Sequence, residues 1–157
     1  MILDKKFRGN WKDYILQSAY AALTVLFITL ILNLQHAVII ASIGSTAFIV
    51  FSMPNSIISQ PRSIIGGHVI GFTVGVCFSM FPFSGWLFFS GLWYALAVGI
   101  SFFIMVVTDT EHSPAVGTAL GMTIVGYSHK AAIGISLGVI ILALISRYMK
   151  SHIRNLV

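Results

Sequence analysis

An all-α integral membrane fold of about six helices is what this chain predicts, and three observations carry the prediction. Apolar residues fill 57% of the 157 positions and charged residues only 8%, against about a quarter charged in a soluble domain. Apolar runs of about 20 residues, the length that crosses a hydrocarbon core, recur from one end to the other. The basic residues cluster at the ends of the chain instead of forming a stripe, so the net charge of +5 reads as membrane topology and not as a nucleic-acid surface. The runs leave no room for a separate soluble unit, and residues 1–157 read as a single transmembrane domain.

Each segment has a local signal. Trp11 and Tyr14 are placed as interfacial anchors before a first helix near 14–33, and Asn33 with Gln35 makes a polar turn. A second helix runs near 36–53 to Pro54, and the stretch from Pro54 to Pro61 is a loop, because proline also disfavours helix in the residue before it. The third helix, near 63–81, carries Gly67, Gly71 and Gly75 at spacing four, a stripe that lets another backbone approach closely. Cys77 on that helix is the single cysteine and, between Val76 and Phe78, reads as a buried structural thiol.

Pro82 to Gly85 turns the chain into a fourth helix near 86–107, opened by Trp86 and rich in phenylalanine for lipid contact. Ser113-Pro114 is a helix start, with serine as N-cap and proline in the first turn. The fifth helix, near 114–127, reaches only about 20 Å, so it is short, tilted or re-entrant. The sixth, near 131–149, carries Gly134 and Gly138.

Six crossings put both basic ends on one side. Lys5, Lys6, Arg8, Lys12, Arg62, Arg147, Lys150 and Arg154 then face inward and Lys130 outward, which makes both termini cytoplasmic. Ser45-Thr46-Ala47-Phe48 and Gly117-Thr118-Ala119-Leu120 resemble each other weakly, each within the middle helix of its triplet. Two inverted three-helix halves are therefore expected, meeting at a midplane site centred on helices two and five.

Polar residues in such a chain are the candidates for function. Arg62 is read either as a snorkelling interfacial cation or as an oxyanion-binding group, with Asp109 and Glu111 as competing partners. His68 lies two turns deeper and needs a hydrogen-bond partner or a substrate. His112, beside the start of the short helix, is placed with the free amides of residues 115–118 around an anion. Gly117 and the hydroxyls of Thr46 and Thr118 complete the substrate-binding set. His36, His68, His112 and His129 raise a metal or haem site, but there is no HExxH and no histidine pair at spacing four. No metal, cofactor or catalytic activity is expected, and a membrane-embedded metalloenzyme ranks third among the readings.

The segments GSTAFIVFSMPNSIISQPRSIIGGH, residues 44–68, and EHSPAVGTALG, residues 111–121, resemble the two signature regions of the HPP family of integral membrane proteins. Gln60, Pro61, Arg62, Ser63, Gly66, Gly67 and His68 correspond to that family's Gln-Pro-Arg-Asn and Gly-Gly-His. His112 to Leu120 correspond to its His-Pro-Pro-Ala-Gly-Ala-Thr-Ala-Leu, with Ser113 for the first proline and Val116 for the first glycine. The resemblance implies nitrite transport, the activity associated with plastid and cyanobacterial members, and a bacterial inner membrane is the expected setting. A transporter or channel for a small inorganic anion is thus the leading expectation, and an oligomeric membrane scaffold the alternative. Six helices offer little bulk around a cavity, so a homo-oligomer is expected, a dimer being the commonest symmetry.

Overall fold

A computed structural model describes residues 7–31, 37–81 and 87–157. The expected turn residues Asn33, Gln35 and Pro82 to Gly85, together with His36 and Trp86, lie outside the described residues. The described chain is helical: α1 (Phe7–Ile31), α2 (Ala37–Ser52), α3 (Pro61–Ser79), α4 (Leu87–Val107), α5 (Ser113–Val125) and α6 (His129–Met149), with a 3-10 turn at Ile57–Ser59. Four helices are long and apolar enough to cross a membrane, namely α1, α3, α4 and α6; α2 and α5 are shorter apolar helices.

The helix starts differ from expectation in instructive ways. α1 begins at Phe7, seven residues earlier than 14, and bends at Asn10, whose backbone is non-helical. Its polar first turns are held by the other end of the chain. Arg154 pairs with Asp13 at 3.2 Å, and Tyr14 donates its hydroxyl to the Leu156 carbonyl at 3.1 Å. Tyr14 is thus a tether as well as an interfacial ring. α6 begins at His129 because the Ser128 side chain accepts the Ala131 amide at 3.1 Å, capping the helix two residues early. Ser113, expected as the N-cap of α5, is instead inside the helix; His112 is the extended cap residue and makes no side-chain capping bond.

The ends pair up on two opposite sides of the bundle. On one side, Leu156 donates its amide to the Ser52 carbonyl at the end of α2 at 2.9 Å. Arg62 at the start of α3 meets Asp109 just after α4 at 2.9 Å. Ser146 near the end of α6 donates to the Ser59 carbonyl. At the other end, the Trp93 ring nitrogen near the start of α4 donates to Phe78 near the end of α3 at 3.1 Å. Successive helices therefore run antiparallel, with the start of α1, the C-terminal segment and Arg62 on a common side.

A core of Ile28, Ile39, Ile43, Val50, Ile64, Met122, Ile135 and Leu142 joins α1, α2, α3, α5 and α6. α4 packs on the outside of α3 and α5 and turns Phe102 and Phe103 outward. Cys77, expected to be buried, is exposed. It lies on the outer face of α3, because the glycine stripe claims the inner face.

That stripe sets the depth of α5. A side chain on Gly71 would strike the Ala115 carbonyl, and one on Gly75 would lie 2.5 Å from the Ala119 oxygen. The backbones of α3 and α5 therefore touch, as small-residue stripes allow. One turn earlier, the link into α5 lies on Gly66 and Gly67, where added side chains would meet Thr110 and His112 at 2.7 Å. α5 thus starts about 9 Å along α3 from its first residue. The short fifth helix is explained: its start is sunk into the bundle, where protein shields non-helical backbone from lipid.

Candidate functional site

Three helices bring five polar side chains together at the sunken start of α5. Ser42 and Thr46 are four residues apart and share one face of α2. His68 stands between Gly67 and Gly71 on α3, so the same bare stripe that admits α5 leaves room for its ring. Thr118 lies in the second turn of α5, and His112 immediately precedes that helix. Thr46 is 0% exposed, His112 and Thr118 1% and His68 2%. At such depth each polar atom must find a partner within the protein.

The partners are one another. Thr46 Oγ1 is the hub, 3.0 Å from His68 Nε2 and 3.0 Å from His112 Nε2. His68 Nδ1 is 2.8 Å from Thr118 Oγ1, which lies 2.8 Å from Ser42 Oγ. Ser42 donates to the Pro114 carbonyl at 2.6 Å, and Thr46 donates to the Ser42 carbonyl one turn back at 3.1 Å. His112 Nδ1 faces the Ile58 carbonyl at 2.7 Å. A carbonyl only accepts, so His112 carries a proton on Nδ1. The two imidazole rings are tilted, with centroids 5.1 Å apart.

The threonines of the two weakly similar segments thus hold opposite nitrogens of one histidine, Thr46 on Nε2 and Thr118 on Nδ1. Gly117 faces Ser42 across the same junction, where an added Cβ would make an ordinary contact with Ser42 Cβ at 3.4 Å. A recess of about 100 Å³ between α3 and α6 reaches His68 and is lined also by Phe72, Thr73, Ser136 and Val139. That is room for a small solute.

Arg62 is not brought to this cluster. Its guanidinium is bound to Asp109 and to the Thr108 carbonyl, at 2.9 and 3.1 Å, on the exposed side of the bundle. Of the two competing carboxylates, Asp109 is the partner. It is placed there by a left-handed backbone, φ 54°, that turns the chain after α4, a conformation aspartate adopts more readily than most residues. The expected free amides are corrected as well. Ala115 N already donates to the His112 carbonyl at 2.9 Å. Ser42 was legible only as the residue one turn before Thr46, and the Ile58 and Pro114 carbonyls carry no side-chain signal at all. Among the described residues, no group of three His, Cys, Asp or Glu side chains converges.

Comparison with known proteins agrees with an integral membrane assignment. A transmembrane protein of Dictyostelium discoideum is 33% identical over 93 residues, 57% of this chain and 31% of the relative. The chain spans about a third of the length of that curated relative. No solved structure matches it. The family described as HPP, transmembrane region, matches residues 6–156, and in doing so covers α1 through α6 together with both motifs that build the buried cluster. The chain belongs to the HPP family of integral membrane proteins.

Proposed function

We propose that the protein is a membrane transporter or channel for a small inorganic anion, with nitrite the substrate that the family resemblance implies. The observation that carries the reading is the convergence of two histidines and three hydroxyls, from separate helices, at a helix start sunk in an apolar bundle. Buried polar clusters are costly in a membrane and are characteristic of substrate and ion pathways. Short helices beginning inside the bundle are a recurrent way of building transporter sites. His68, His112, Thr46, Thr118 and Ser42 form the proposed site, Gly117 faces Ser42 of α2 beside it, and Arg62 belongs to the rim. The recess beside His68 supplies a side approach.

Six crossings, cytoplasmic termini, a bacterial inner membrane and a homodimer complete the proposal. The charge distribution supports the orientation. No catalytic step, cofactor or nucleic acid has a part in it.

The test is flux of nitrite, nitrate, chloride and formate into proteoliposomes. Wild type is expected to move nitrite above protein-free vesicles, and His112→Ala to abolish that movement while remaining folded. A second reading, an oligomeric membrane scaffold, is favoured by one observation: every polar atom of the cluster already has a close polar neighbour inside the protein. Under that reading wild type moves none of the four anions and His112→Ala only destabilises it.

A further inference from the structure

The buried cluster has more hydrogen-bond contacts than protons to fill them. Its five side chains make seven close polar contacts, counting those among themselves and those to the Ile58, Pro114 and Ser42 carbonyls. A hydroxyl carries one proton, and so does a neutral imidazole. Five protons therefore serve seven contacts, and two contacts oppose lone pair to lone pair. Starting from the ends shows why no rotation relieves this. Ser42 must donate to Pro114 O, Thr46 to Ser42 O and His112 to Ile58 O, because a carbonyl only accepts. His112 Nε2 then faces Thr46 with no proton between them, and the protons of His68 and Thr118 leave one more contact unfilled among Thr46, His68, Thr118 and Ser42.

An anion arriving from the recess beside His68 adds only acceptors and deepens the deficit. A proton arriving alone fills a contact but leaves a net charge buried in apolar surroundings, which is costly. The two together fill the contact and leave the site neutral. A second proton is opposed by repulsion between rings whose centroids are 5.1 Å apart. Among the described residues, no other charge is positioned to substitute for the proton. α2 and α5 carry no ionisable side chain. On α3 Arg62 is held by Asp109. In the link before α5, Glu111 is half-buried and of the wrong sign. On α6, His129, Lys130 and Arg147 lie at the helix ends and are exposed.

We infer that the site binds its anion together with one proton, so that a monovalent anion of a weak acid crosses in an electroneutral one-to-one step. The inference rests on the transport reading above, and wild-type protein tests both. Nitrite accumulation is measured in proteoliposomes under two separate driving forces, with protein-free vesicles subtracted to remove leakage of nitrous acid. Under the proton-coupled step, a pH difference of one unit, acid outside, raises the accumulation ratio about tenfold, and a clamped potential of about 59 mV leaves it unchanged. The reverse pattern, about tenfold with potential and no change with pH, overturns proton coupling and leaves the transport reading standing. No nitrite movement under either force removes the transport reading, and this inference with it.

Discussion

Replacing Gly71 by alanine tests whether α3 and α5 touch backbone to backbone, on which the whole cluster depends. The new methyl would strike the Ala115 carbonyl oxygen and lie 3.2 Å from its carbon and 3.3 Å from the Ala119 amide nitrogen. These are main-chain atoms of α5 and have no rotamer to escape into, so the helices must part by about 1 Å to restore an ordinary contact of about 3.3 Å. Overpacking of this kind costs about 1–3 kcal/mol. The same separation stretches the bond between His68 Nδ1 and Thr118 Oγ1, now 2.8 Å, and a buried polar group without its partner costs about 1–3 kcal/mol more. Against this stands the helix propensity of alanine over glycine, about 1 kcal/mol.

Gly99→Ala on α4 isolates that propensity gain, because nothing lies within 4 Å of the added carbon. With the shared gain cancelled, the two variants should differ by about 4 kcal/mol, the middle of the combined overpacking and polar costs. That corresponds to roughly 8–16 °C in Tm for a chain of this size. Thermal unfolding in detergent, followed by tryptophan fluorescence, reads the difference. Equal melting of Gly71→Ala and Gly99→Ala would refute the backbone contact, and with it the placement of α5.

Other predictions follow from the same geometry. Thr46→Val keeps the side-chain shape but removes the hydroxyl between the two histidines; nitrite flux should be lost and stability fall by about 1–3 kcal/mol, whereas Thr46→Ser should retain both. If Thr46→Val transports like wild type, the hub is not part of the pathway. Arg62→Ala breaks an ion pair whose side chains are 63% and 69% exposed, so a stability loss of at most about 1 kcal/mol is expected, with flux little changed; abolished flux in a folded protein would restore Arg62 to the site. In a Cys77→Ala background, Lys130→Cys and Lys150→Cys should be labelled by a membrane-impermeant maleimide from opposite sides, and labelling from the same side would contradict the antiparallel order of α6.

Much of the helical layout was legible because its signals are local. Pro114 marked the start of α5, Pro61 closed the loop before α3, which in fact begins at that proline and not near 63, and the lengths of the apolar runs separated the helices. Local signals misled where a distant contact decided. α1 extends to Phe7 with Asp13 and Tyr14 held by the C-terminal segment, and Cys77 faces outward because Gly71 and Gly75 take the inward face of α3. The site was half legible. His68, His112, Thr46 and Thr118 stood out as polar residues in apolar runs, but so did Arg62, which lies apart from the cluster and pairs with Asp109.

The sequence alone determined the membrane class, the approximate helix boundaries and the clustering of positive charge at the chain ends, since apolar length, capping and charge are properties of short stretches of chain. Tertiary structure alone decided which polar groups meet. The bonds at the hub join residues 22 and 66 apart, and the next link joins residues 50 apart. Those partnerships follow from how far α5 sinks against α3, a depth fixed by glycines whose backbones touch and not by any pattern within α5 itself.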